Sequence, residues 1–288
     1  MLRKAVIIHY VLLSRTKRKW FVRNSREKRE RYGCVGRAKP GAECVRILHV
    51  NRPVLVLASN SPRRRELLKL GGWKFDTRAV EVDESPRPGE APGKYVLRLA
   101  ESKAHACLRQ PCNERRKGYR RYRRGGSNQA DQVVLAADTA VVDGEAILGK
   151  PKDPAEAVAM LQNLRGHKHQ VQTGIAVLRP ADGCLVTDLC VTEVPMRAYR
   201  DVEIEAYVAS GDPLDKAGAY AIQNANFHPV ESLGGCYASV MGLPLCHLTR
   251  SLRKLDMAPT TDIAAECQSA LGYACPISSA VLSGEMVG

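Results

Sequence analysis

Residues 57–67 read LASNSPRRREL and follow the apolar run Val54-Leu55-Val56 directly. Ser59, Asn60 and Ser61 are turn and N-cap residues. Pro62 suits the first position of a helix, where its missing N–H costs nothing. A helix start with free N–H groups, flanked by Arg63, Arg64 and Arg65, is a prepared anion site. The planar arginine fork matches phosphate oxygens. Four further polar residues interrupt apolar surroundings at strand or loop ends. They are Glu84 in VDESP, Lys103 on an inward helical face, Asp138 after VVLAA, and Lys150 in GKP. A glycine-rich block over 211–223 leads into an apolar segment that ends in the amide of Gln223.

Each of these residues also has an ordinary explanation. Glu84 can be a loop acid, Lys103 a snorkelling helix lysine, Asp138 a turn cap and Lys150 a turn lysine. A carboxylate after five apolar residues is nevertheless costly without a partner. Together the residues suit one task. Three or four cations and helix N–H groups bind a polyphosphate. The carboxylates of Glu84 and Asp138 hold a divalent ion or activate a water. An amide reads a base edge by donating and accepting at once. The set predicts metal-assisted hydrolysis of a nucleotide. No G-x-x-x-x-G-K-[ST] occurs, so the chain is not a P-loop enzyme, and no G-x-G-x-x-G follows a strand.

Alternating elements must position these groups. The pattern predicts a strand over 54–59, a helix over 62–71, a strand over 75–82 and a helix over 93–108. A central strand over 133–142 follows, with Asp143-Gly144 as a hairpin turn and Ile147-Leu148 as the returning strand. A helix from Asp153 or Pro154 to Leu164 ends at Gly166. Alternating strands cover 169–178 and 184–197, a short helix covers 204–209, and a final helix covers 244–255. Strands and helices that alternate in this way define an α/β class with at least one antiparallel hairpin.

The flanks differ in composition. The chain carries a formal charge of +14, but residues 1–53 hold 15 Lys/Arg against 3 Asp/Glu and residues 107–132 hold 8 against 2. What is left is mildly acidic, so the high overall charge is no argument that the core binds nucleic acid. Residues 1–53 are expected to be a basic, disordered extension, with a start nearer Val50 as another account of them. A targeting peptide is weakly suggested by the acid-free first 26 residues, but no cleavage site follows. The basic insertion at about 109–131 is longer than connections within a domain usually are; it is expected as a solvated loop, with nucleic-acid contact the other reading. Residues 256–288 are expected as a loosely attached C-terminal tail, with a weakly amphipathic segment over 261–271. The ten cysteines form no C-x-x-C pair, which argues against a zinc ribbon. The apolar run Val6–Leu13 is too short to cross a membrane.

SNSPRRREL (59–67), EVDESP (81–86), AADTAVV (136–142), LGKPKD (148–153), LRGHKHQVQTG (164–174), YVASGDPLDKAGAYAIQ (207–223) and VMGLPL (240–245), with the helix that carries Lys103, closely resemble the Maf family. The likeness runs from about Val54 to Leu255. It implies an elongated mixed sheet flanked by helices, with two lobes around a central cleft, similar to the inosine-triphosphate pyrophosphatases. It implies hydrolysis of nucleoside triphosphates to the monophosphate and pyrophosphate with Mg²⁺, Mn²⁺ or Co²⁺ and no organic cofactor. By the same resemblance Asp138 is the proton acceptor, with Glu84 and Lys103 beside it in catalysis. Glu84 and Asp138 are the metal ligands. Ser59, Ser61, Arg63, Arg64 and Lys150 bind substrate, and Arg63, Thr139 and Gln223 select the base. Asp138-Thr139 together with the AYAIQ ending resembles the branch that acts on dTTP and UTP, with modified pyrimidine nucleotides as further substrates and pool sanitation as a role. The alternatives are a 7-methyl-GTP pyrophosphatase on the same scaffold and a nucleotide- or nucleic-acid-binding regulator of cell division. A cytoplasmic homodimer without membrane contact is expected.

Overall fold

The structure is a computed structural model that describes residues 53–109 and 132–288. The expectations for the basic extension, up to residue 52, and for the insertion over 110–131 lie outside the described residues. Six strands form one mixed sheet: β1 (Val54–Leu57), β2 (Phe75–Thr77), β3 (Gln132–Asp143), β4 (Ala146–Leu148), β5 (Lys168–Arg179) and β6 (Cys184–Pro195). The order is β2-β1-β3-β5-β6, with β4 paired to β3. β1 runs parallel to β2 and β3, whereas β5 is antiparallel to both β3 and β6. The expected mixed α/β fold is what forms.

β3 organises the site. Its first residues pair with β1 as far as Leu57–Leu135, and its last three pair with β4 from Val141 onward. Between those two partners the same edge of β3 faces no described strand, while β5 continues along the other edge. Asp138 lies in that gap. Open α/β sheets place ligands at such breaks in strand neighbourhood.

Helix α1 (Pro62–Leu70) follows β1, and α2 (Pro92–Arg109) packs on β3 and β5. The buried stripe of α2 is Val96, Leu99, Ala100, Ala104 and Cys107, a helical spacing that includes the position of Lys103. Gly174 sits opposite Asp138 in the β3–β5 register. A Cβ at Gly174 would come within 2.8 Å of the Val96 and Leu97 backbone. The missing side chain lets α2 settle on the sheet at the level of Asp138. α3 (Pro154–Leu164) is capped by Asp153, whose Oδ1 accepts from Glu156 N at 2.8 Å. α4 (Asp201–Ala209), two 3-10 turns over 212–215 and 217–219, α5 (Tyr237–Val240) and α6 (Leu245–Arg253) complete the expected elements.

Two expectations are corrected. The strand predicted over 75–82 ends at Thr77. β1 pairs with it only as far as Leu57, and Arg78 N then donates to Leu57 O at 2.9 Å. With no further strand to pair, the alternating residues beyond Thr77 form a loop. The helix at α6 is not the last, and residues 256–288 are not a loose tail. α7 (Ile263–Leu271) and α8 (Ser278–Ser283) pack on the domain, with Ile263, Cys267 and Val281 buried. Arg253 Nη1 donates to Leu282 O at 3.2 Å, Arg250 Nη1 to Glu285 O, and His247 Nε2 lies 3.1 Å from Val287 O. Side chains of α6 thus hold main-chain carbonyls of the segment, and Thr261 Oγ1 donates in return to Leu70 O at 2.8 Å.

Candidate active site

The arginine turn forms as its residue types require. Ser61 caps α1, its Oγ accepting from Arg64 N at 3.4 Å, and Ser61 N donates to Ser59 Oγ at 3.1 Å. Arg64 then reaches across the molecule. Its Nε donates to Gly242 O at 2.8 Å and its Nη2 to Thr139 Oγ1 at 3.2 Å. Burial lowers its basicity from the ordinary arginine value, and the charge of Asp138 works against that fall; a guanidinium stays protonated even so. Gly242 has φ +108°, and a Cβ there would stand 3.3 Å from Arg64 Nε and 3.4 Å from Thr139 Oγ1. Only glycine adopts that backbone readily. The neighbouring Arg63 has its Nε buried without a hydrogen-bond partner, a costly state that an anion would relieve.

Opposite the turn, Lys103 Nζ lies 2.5 Å from Asp138 Oδ1 and 2.7 Å from Glu84 Oε1. Asp138 comes from the sheet and is only 8% exposed. Glu84 comes from the loop before α2 and is open to solvent. That loop is pinned twice. Tyr95 Oη donates to Glu84 O at 2.9 Å, and Arg98 donates to Ser85 O and to both oxygens of Glu90. Tyr95 is held protonated by its burial and by the charges of Asp138 and Glu84.

These groups share a cleft of about 890 Å³, within the usual range for small-ligand sites. Every expected site residue lines it: Ser59, Ser61, Arg63, Arg64, Glu84, Lys103, Asp138, Thr139, Lys150 and Gln223. Lys150 and Gln223 are exposed at its rim, and no carboxylate among the described residues forms an ion pair with Lys150. Gly218 N donates to Gly149 O at 3.0 Å, tying the two rim segments together. Thr139 lines the cleft and is also bonded from behind. Its hydroxyl is committed to Arg64 and, at 2.9 Å, to Thr173 Oγ1, which in turn donates to Ser239 O. It therefore orients the arginine as well as lining the cleft.

Three contributors escaped the reading of the residues. Lys216 is buried, and its Nζ bonds Asp212 O, Asp212 Oδ1 and Asp215 Oδ1 at 2.5, 3.0 and 2.6 Å. It knots the loop that presents Gln223, and its only advance signal was a lysine among apolar and glycine residues in DKAGAY. Tyr95 and Gly242 gave no local signal, because their partners lie far away in the chain. The charge balance of the cleft follows. Lys103 and Lys216 are neutralised by carboxylates, while Arg63, Arg64 and Lys150 have none within ion-pair distance among the described residues. The cleft is built to take an anion beside a fixed carboxylate.

A model of the Maf-like protein family matches residues 54–255. The dTTP/UTP pyrophosphatase of Geobacter sulfurreducens is 45% identical over 202 residues, covering 70% of this chain and 96% of that protein. That of Hahella chejuensis is 43% identical over 208 residues, covering 72% and 95%. The more distant dTTP/UTP pyrophosphatase of Dehalococcoides mccartyi is 36% identical over 211 residues, covering 73% and 86%. The whole cleft, from Ala58 to Gly242, falls inside the matched span, and the chain belongs to the Maf family.

Proposed function

We propose that the protein hydrolyses nucleoside triphosphates to the monophosphate and pyrophosphate, with dTTP and UTP as preferred substrates. One observation carries the reading: a buried carboxylate fixed by Lys103 faces cations that lack carboxylate partners, across one cleft. The names of the relatives support the substrate class. The α1 N-terminus, Arg63, Arg64 and Lys150 bind the triphosphate oxygens. Asp138 accepts the proton of a water that attacks the α-phosphorus, and Lys103 holds its carboxylate in place. Pyrophosphate then leaves against the charges of the same cations. Positioning and fixed charge carry most of the rate gain. At the rim, Gln223 reads the base edge.

Glu84 and Asp138 converge on one cationic nitrogen from separate elements, an arrangement that fits a small dication. Among the described residues no group of three or more His, Cys, Asp or Glu could hold a metal. Glu84 and Asp138 would hold a hard divalent ion such as Mg²⁺, with Mn²⁺ or Co²⁺ as substitutes. When bound, it supplies charge neutralisation on the phosphate oxygens. No helix among the described residues is long and apolar enough to cross a membrane. We further assign the protein to the cytoplasm as a homodimer.

Pyrophosphate release by the full chain with Mg²⁺, across dTTP, UTP, CTP, GTP, 7-methyl-GTP and ATP, tests the proposal. Turnover highest on dTTP and UTP is expected. Turnover on 7-methyl-GTP alone would keep the chemistry and refute the base preference. No release from any nucleotide with Mg²⁺, Mn²⁺ or Co²⁺ would refute the enzyme reading.

A further inference from the structure

Away from the cleft, three thiols meet. Cys190 lies on β6, Cys236 just before α5, and Cys275 between α7 and α8. Cys236 is buried next to Gly235, whose carbonyl faces the Cys275 thiol, and the thiols of Cys190 and Cys275 both act on its titration. Segment 273–275 runs alongside 233–236. Tyr273 Oη donates to Leu233 O at 2.8 Å and to Gly235 O at 2.9 Å, and Cys275 Sγ stands 3.9 Å from Gly235 O. Cys236 and Cys275 also line one small apolar cavity.

The two differ as a reactive and a resolving cysteine do. Cys275 is half-exposed, and its thiol is pulled down by the contact with Cys236 and by backbone N–H groups of Ile277 and Ser278. Cys236 is buried and pushed up by its two thiol neighbours. The thiolate is the nucleophile of the pair. Cys236 also pulls the Cys190 thiol down, to about 5, but Cys190 is the poorer partner because a buried thiolate is closed to peroxide. It is fully buried and held opposite Thr173 in the β5–β6 ladder. Cys236 and Cys275 lie in irregular segments, where the backbone can supply the adjustment that disulfide geometry demands.

We propose that Cys275 and Cys236 form a peroxide-responsive thiol pair that closes to a disulfide and fastens the C-terminal segment to the catalytic domain. The Cys275 thiolate attacks one oxygen of hydrogen peroxide. The O–O bond breaks, hydroxide leaves, and Cys275 becomes a sulfenic acid. The Cys236 thiol then attacks the Cys275 sulfur. The S–O bond breaks, the S–S bond forms, and water leaves with the hydroxyl and the thiol proton. Two electrons pass from the sulfurs to peroxide. The link joins the span matched to the family with the segment that follows it. It closes at the start of α5, where the carbonyls of Ser239 on that helix and of Gly242 just beyond it hold Thr173 and Arg64, so oxidation tightens a support of the arginine.

Peptide mapping of the full chain tests this. The protein is treated with hydrogen peroxide, its remaining thiols are alkylated, and it is digested without reductant. A Cys236–Cys275 linked peptide that dithiothreitol cleaves is expected, and mapping separates it from products of Cys34, Cys44 and Cys112. The Cys275→Ser variant should lose the link and Cys190→Ser should keep it, both with unchanged circular dichroism. Wild-type mapping decides alone if a variant fails to fold. Cys275 stopping at the sulfenic or sulfinic acid, or a link between Cys190 and Cys236 instead, would overturn the proposal.

Discussion

The centre of the cleft and its rim are built on opposite plans. At the centre, Lys103 ties Asp138 to Glu84, and Arg64 is held by a backbone carbonyl and a hydroxyl. At the rim, Lys150 and Gln223 stand exposed, with no described side-chain hydrogen bond of their own. A group fixed in advance costs little reorganisation when the reaction comes. A long exposed side chain must lose rotamer freedom when it binds. The centre should therefore govern turnover, and the rim should govern capture and choice of substrate.

The largest effect is expected at the centre. Asp138→Asn preserves shape but removes the base, and kcat should fall by about 10²- to 10⁴-fold with little change in KM. Single-turnover kinetics on dTTP measure it; a loss confined to KM would erase the distinction between centre and rim. The next concerns the support beneath the rim. His169 Nε2 lies 2.8 Å from the hydroxyl of Tyr220, a cleft-lining residue three positions before Gln223. Burial depresses the His169 pKa to about 4 from an ordinary 6.5. Below pH 6.5 the unfolded chain takes up a proton that the folded one refuses until about pH 4. The stability contribution is thus complete above 6.5 and declines as pH falls toward 4, by about 3 kcal/mol. Urea unfolding of wild type and His169→Gln at pH 7 and pH 4.5 isolates it; equal pH slopes for the two proteins would contradict it.

Smaller effects belong to the rim itself. Lys150→Ala should raise KM about tenfold and alter kcat much less, as expected for removing one charge-assisted hydrogen bond to phosphate. If kcat falls as much as KM rises, Lys150 works with the centre. Gln223→Ala should change the ratio of kcat/KM for UTP over CTP by a few-fold, about 1 kcal/mol for one exposed hydrogen-bonding amide. An unchanged ratio would remove Gln223 from base selection.

The segments that local chemistry controls were legible in the residues alone. Ser61-Pro62 starts α1 because its cap and its missing N–H are local facts. The apolar run into Asp138 identifies a central strand, and the stripe through Lys103 identifies an inward helical face. The residues those readings and the family motifs single out all line one cleft in the structure. The extent of β2 was not legible, since alternation continues past Thr77 and only the end of β1 stops the pairing. Nor was the docking of 256–288, which rests on donors of α6 and on the hydroxyls of Thr261 and Tyr273, all bonded to distant carbonyls.

The chain by itself determined which residue types were at hand, where its strands and helices begin, and that anion-binding arginines and two isolated carboxylates required partners. Only the tertiary structure decided who those partners are. Arg64 finds its carbonyl 178 residues away and its hydroxyl 75 residues away. Asp138 and Lys103 meet because Gly174 lets α2 approach the sheet, and Cys275 meets Cys236 because two late helices fold back. Caps, turns and periodicity are set by neighbours within a turn of the chain. The pairing of charges is set by which distant surfaces bury one another, and local spacing carries no record of that.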